Sequence, residues 1–113
     1  MALVTLLGVE TGRAAQMVRA AQQRLTQFDR LVFVLSAPDL VEATRGGAVV
    51  ELLPGLRELA GHEAGEIRRY LESRQNQILQ KWQPDVVLHY GLPLDAYILA
   101  LIAQISGDGS NPF

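Results

Sequence analysis

The chain has 113 residues, a length that fits one domain with a thin core. Hydrophobic residues make up 49% of it and charged residues 19%, a balance that predicts a globular fold and excludes disorder. The net charge of −2 argues against a long nucleic acid as partner, because phosphate-backbone binding draws on a basic surface, although a local arginine still suits a small anion.

There is no cysteine, which excludes disulfides, thiolate metal sites and a cysteine nucleophile. The two histidines, His62 and His89, stand far apart and show no HExxH-type spacing, so neither a metal nor a cofactor is predicted. The opening residues Met1-Ala2-Leu3-Val4 lack a basic region and run directly into strand-like sequence, so no signal peptide is expected. The longest apolar run, residues 96–103, is far shorter than the roughly 20 residues of a membrane span. A soluble cytoplasmic protein without a membrane partner is the expectation.

Residues 3–9 read as a first strand. Residues 13–28 read as a helix, with Ala14, Met17, Val18, Ala21, Leu25 and Phe28 on one face and Thr11 or Gly12 capping its start. Leu31-Val32-Phe33-Val34-Leu35 is an unbroken apolar run suited to a strand buried on both faces. Residues 38–45 suit a short helix, Gly46-Gly47 break the pattern, and residues 48–53 read as a weaker third strand closed by Pro54-Gly55.

A long helical stretch is predicted over residues 56–82, broken at Gly61 or Gly65. Ile67, Tyr70, Leu71, Ile78 and Leu79 form its apolar stripe. Arg68, Arg69, Arg74 and Lys81 interleave with Glu63, Glu66 and Glu72 on a solvated, ion-paired face. Residues 85–90 read as a fourth strand, Gly91 as a turn and residues 94–105 as a last helix. Residues 1–106 thus form a single domain, and the Gly/Asp/Ser/Asn/Pro-rich residues 107–113 read as a flexible tail.

Strands alternating with helices, and strands without polar alternation, predict a Rossmann-like α/β fold with three layers and a mostly parallel sheet of about four strands. Right-handed crossovers favour the order 3-2-1-4. The switch point then lies between strands one and four, where open α/β sheets bind ligands beyond the carboxyl ends of the strands. This sets the loop after strand one beside the loop after strand four.

The first of those loops is Gly8-Val9-Glu10-Thr11-Gly12-Arg13. Its backbone N–H groups and the helix start suit a phosphate, with Thr11 and Arg13 adding donors. Glu10 repels an anion if turned inward, and suits a ribose hydroxyl or an amine instead. The loop is neither a Walker A loop nor a G-x-G-x-x-G fingerprint. It reads equally as a tight turn in which glycine supplies a positive φ. Across the switch point, His89-Tyr90-Gly91 offers an acid, a base or a hydrogen bond to a phosphate; the other reading of His89 is a strand residue satisfied by a backbone carbonyl. Ser36 and Asp39 at the end of strand two either line the same rim or cap a helix. No Ser-His-Asp arrangement is evident: Ser36, His89 and Asp95 could converge at that edge, but nothing resembles a nucleophile elbow.

The last helix carries Leu94, Tyr97, Ile98, Leu99, Leu101, Ile102 and Ile105 over most of its circumference. A helix apolar all round needs cover all round. A homodimer or a tight partner subunit through residues 94–105 is therefore expected, with cover by the long helix and the tail as the alternative.

The opening Leu6-Leu7-Gly8-Val9-Glu10-Thr11-Gly12, followed by an amphipathic helix, resembles the start of CARF domains, the Rossmann-like dimeric sensors of cyclic oligoadenylate in CRISPR-based antiviral defence. The resemblance takes in strand two and, loosely, His89-Tyr90-Gly91, and covers about half the chain. It implies a ligand-sensing module for a cyclic oligonucleotide or another phosphorylated ligand, with the ligand held by Gly8, Glu10, Thr11, Gly12, Arg13, Ser36, His89, Tyr90 and Gly91. Slow cleavage by a ribose hydroxyl placed in line with its phosphate is also implied, with Arg13 or His89 stabilising charge. A second stretch, Pro84-Asp85-Val86-Val87-Leu88-His89-Tyr90-Gly91, is similar to a strand of the N-terminal half of GT-B glycosyltransferases, which implies one subunit of a transferase or hydrolase. The remaining expectation is a structural or interaction module whose glycines only make turns.

Overall fold

A computed structural model describes residues 1–36, 47–54 and 59–106. Its strands are β1 (Ala2–Leu6), β2 (Leu31–Leu35), β3 (Val49–Leu52) and β4 (Val86–His89). Its helices are α1 (Thr11–Arg24), α2 (Ala64–Trp82) and α3 (Leu94–Ser106). All four strands run parallel in the order β3-β2-β1-β4, which is the Rossmann-like arrangement expected from the alternation of elements. The predicted short helix over 38–45, Asp39 and the tail at 107–113 lie outside the described residues.

β1 and β2 are the central strands, and both are buried almost throughout. Their side chains alternate between two cores. On one face, Val4, Leu6, Phe33 and Leu35 meet Ala14, Val18 and Ala21 of α1. The alanines keep the helix close to the strands. On the other, Leu3, Leu7, Val32 and Val34 meet Ile67, Leu71 and Ile78 of α2 and Tyr97, Ile98 and Leu101 of α3. Each fully buried Leu, Ile or Phe contributes about 1.5–3 kcal/mol, so these two layers hold the sheet together.

Several boundaries differ from the sequence reading. α1 begins at Thr11 with Glu10 as its N-cap residue, so neither Thr11 nor Gly12 caps it, and Glu10 makes no side-chain cap bond. The helix ends at Arg24 rather than 28. Leu25 leaves helical geometry at φ −97° and ψ 47°, and the chain turns so that the Arg30 carbonyl accepts from the Ala2 N–H at 3.0 Å. Leu25 and Phe28 keep the helical spacing and stay half-buried, which is why periodicity overran the helix. α2 starts at Ala64 because Gly61, at φ 92°, breaks the path before it.

The long helix also shows two corrections of facing. Tyr70, placed in the apolar stripe, is 52% exposed, while Gln75 is buried in the helix's inner face. Arg74 and Lys81 do not pair along their own helix: both reach Glu51 on β3, at 3.5 and 3.0 Å. Arg68 does pair with Glu72, one turn away, at 3.5 Å.

α3 packs on the sheet and α2 through Tyr97, Ile98, Ala100 and Leu101, and Tyr97 Oη donates to the Pro54 carbonyl at 3.1 Å. Leu99 projects from the uncovered side and is 59% exposed. Among the described residues no helix is long and apolar enough to cross a membrane.

Candidate functional site

Because β1 and β4 are neighbours, the chain leaving β4 lies against the end of β1. The Tyr90 and Gly91 N–H groups both donate to the Thr5 carbonyl, at 2.8 and 3.2 Å, and the Leu92 N–H donates to the Leu7 carbonyl at 2.9 Å. Leu7 and Leu92 form an isolated antiparallel bridge just beyond the parallel ladder. From this point the chain after β1 enters α1 on one face and the chain after β4 enters α3 on the other. The helices α1 and α3 thus start on opposite faces of the sheet at the carboxyl ends of β1 and β4, the place where open α/β sheets bind ligands. The two stretches singled out in the sequence are neighbours along this rim.

On the β1 side, Gly8 sits at φ 76°, a left-handed conformation that favours glycine. Its N–H donates to Ser36 Oγ at 2.8 Å. Ser36 therefore ties the end of β2 to the end of β1, a tertiary role distinct from helix capping. That bond also occupies the Gly8 N–H. The first α1 bond runs from the Ala14 N–H to the Glu10 carbonyl at 2.8 Å. The N–H groups of the residues before Ala14 precede any intrahelical bond, and those of Gly12 and Arg13 have no partner among the described residues. Gly12 faces open space, with nothing within 4 Å of where a Cβ would stand. Arg13 and Glu10 are exposed, one charge of each sign at the mouth of the rim.

On the β4 side, His89 Nδ1 is 2.7 Å from Thr5 Oγ1. The pairing follows from register, since Thr5 and His89 stand opposite each other in adjacent parallel strands. Thr5 is wholly buried while His89 is exposed, so the hydroxyl anchors the inner ring nitrogen and leaves Nε2 toward solvent. Thr5 was not among the sequence candidates. Its signal was there: it is the one polar residue in the strand Ala-Leu-Val-Thr-Leu. Tyr90 exposes 38% of its surface next to this pair.

The structure does not join Ser36, His89 and Asp95 into a relay. Ser36 bonds Gly8, His89 bonds Thr5, and Asp95 lies 4.0 Å from Arg68. Among the described residues no three His, Asp or Glu side chains gather where a metal ion would be held.

Among the described residues, clefts lie away from this rim. One, of about 440 Å³, sits between the end of β3 and the start of α2, lined by Pro54, Leu59, His62, Glu66, Ile67 and Tyr70. His62 Nδ1 and Glu66 Oε2 face each other there at 3.3 Å, both half in solvent. Another, of about 460 Å³, is an open hollow at the amino ends of β2 and β3, where Phe28, Asp29, Arg30 and Gly47 contribute to its walls.

Comparison with protein-family models, with curated proteins and with solved structures gives no significant match.

Proposed function

We propose that this chain is a small cytoplasmic ligand-sensing module that binds a nucleotide or another phosphorylated ligand on the rim between β1 and β4, and that it acts as a homodimer. One observation supports the reading: Gly91 and Leu92 are bonded to the backbone of Thr5 and Leu7, so the segment after β4 is a neighbour of the segment that leads into α1. A phosphoryl group suits the N–H groups of Gly12 and Arg13, the positive end of α1 and the Arg13 guanidinium. His89 Nε2 approaches it from the β4 side. Tyr90 supplies an open aromatic face for a base, a contact worth about 1–3 kcal/mol in single-stranded nucleic-acid sites. Glu10 accepts from a ribose hydroxyl. Within this class the resemblance to CARF domains favours a cyclic oligoadenylate, and exposed Leu99 on α3 is the natural centre of a dimer contact.

A second reading is favoured by a specific observation. Gly8 and Gly91 each have a structural reason, a positive φ and a close backbone approach, so a module with no ligand explains both. Thermal unfolding with AMP, cyclic tetra-adenylate or inorganic phosphate separates the two. At a ligand concentration of 100 times Kd, binding adds about 2.7 kcal/mol of stability. The sensing reading expects a rise in Tm with at least one nucleotide and loss of that rise in Arg13→Ala. The structural reading expects no rise with any of them.

A further inference from the structure

We infer that Thr5 is a positioning residue that fixes the tautomer of the His89 imidazole with its proton on Nε2, so that the rim presents a hydrogen-bond donor to an acceptor oxygen on the ligand. The donor assignment stands on the geometry alone; its use toward a phosphoryl oxygen rests on the function proposed above.

Thr5 has no exposed surface, and among the described residues His89 Nδ1 is the only partner of its Oγ1. A hydroxyl has one proton to give. Were His89 to carry its proton on Nδ1, that nitrogen would donate to Oγ1, and the Thr5 proton would be left without an acceptor in a dry environment, the costly arrangement for a buried polar group. With the hydroxyl donating to Nδ1, both groups are satisfied. Nδ1 is then the acceptor nitrogen of a neutral ring, and Nε2 bears the hydrogen. The nearby carbonyl of Thr5 offers no alternative partner for the ring, because it already accepts from the Tyr90 and Gly91 N–H groups.

This arrangement changes the chemistry open to the rim. An imidazole with Nε2–H does not take a proton from a ligand hydroxyl at that nitrogen; it gives a hydrogen bond. His89 is then a recognition group for an oxygen acceptor, and not the general base that a histidine at a strand end suggests. Thr5 and His89 share the sheet face of Leu3, Leu7 and Val87, so the donor is offered at the strand ends on the α3 side, while α1 starts from the other face. A donor there matches a phosphate ester, whose oxygens are all acceptors.

The test is a two-bond ¹H–¹⁵N correlation spectrum of the full chain at a pH where both imidazoles are neutral, with His62→Gln used to assign the two rings. The expected spectrum shows His89 with a pyridine-type Nδ1 and a pyrrole-type Nε2. Thr5→Val is expected to let the ring average between tautomers, and Thr5→Ser to restore the fixed one. A pyrrole-type Nδ1 in the wild type, or an unchanged spectrum in Thr5→Val, overturns the donor assignment. If Thr5→Val does not fold, the wild-type and Thr5→Ser spectra still decide it. An AMP titration followed on the same samples tests the use of the donor. Thr5→Val is expected to weaken binding roughly fivefold, the usual worth of one hydrogen bond. Equal affinity in the two proteins overturns that use, while no binding to the wild type overturns the phosphorylated-ligand reading and leaves the tautomer to the spectrum.

Discussion

Gly91 lies so close to the backbone of Leu7 that a Cβ on it would stand 2.5 Å from the Leu7 carbonyl oxygen and 2.9 Å from its nitrogen. Both are main-chain atoms in a bonded segment, so neither can swing aside. Gly91→Ala is expected to cost about 1–3 kcal/mol, the range for overpacking, because the chain after β4 must lift off β1. Urea unfolding checks this, and a stability equal to the wild type would mean that the two segments are not in contact.

Gly12 makes the opposite case. It has open space around it and no positive φ, so nothing in the fold requires glycine there. Gly12→Ala is expected to keep the Tm or raise stability by up to about 0.5–1 kcal/mol, since alanine loses less entropy in a helix. The added methyl stands over the first turn of α1, so the same variant is expected to lose the stabilisation by nucleotides. Thermal scans with and without AMP measure both effects on one sample.

Glu51 is the third case. Its side chain is only 10% exposed and lies between Arg74 and Lys81 of α2. Glu51→Gln keeps the shape and removes the charge. The expected loss is about 1 kcal/mol, because Lys81 is largely solvated and its share is screened. The gap between wild type and variant is expected to narrow in 1 M salt, where the screening length falls to about 3 Å.

The Met1 amine and Asp85 give a pH dependence at the opposite end of the sheet. Their contact of 2.6 Å holds the amine above its usual value, chiefly through the hydrogen bond it donates to Asp85, and the same bond holds Asp85 below the usual carboxylate range. A raised amine contributes fully below about pH 8 and loses its share as pH rises through the folded-state value. A lowered carboxylate contributes fully above about pH 4 and loses its share as pH falls through the folded-state value. Both groups are exposed, so the effect is small. Above pH 8 the wild-type Tm is expected to fall more steeply than that of Asp85→Asn, and parallel curves would count against the pair.

The parts of this molecule that were legible in the sequence are those set by short-range pattern. The run Leu31–Leu35 has no polar residue and is bounded by turn signals, so its limits were readable to the residue. Strand order followed from the handedness of connections once four strands were counted. Long-range pairing was not legible. Ser36 meets Gly8 across 28 residues and Glu51 meets Lys81 across 30, and nothing local marks either partner. Tyr70 keeps the helical spacing of Ile67 and Leu71 but lies at the lip of a cleft, where less of the chain covers it. Thr5 is marked in the sequence only as one hydroxyl in an apolar run, and its partner follows from the register of β1 with β4, 84 residues away.

The most direct test of the proposed site is a ¹H–¹⁵N backbone titration of the full chain with AMP. The account expects the largest shifts at Gly8, Gly12 and Arg13 on the β1 side together with Tyr90 and Gly91 on the β4 side. Shifts gathered around His62, Glu66 and Tyr70 at the other cleft, or none at any concentration, would contradict it.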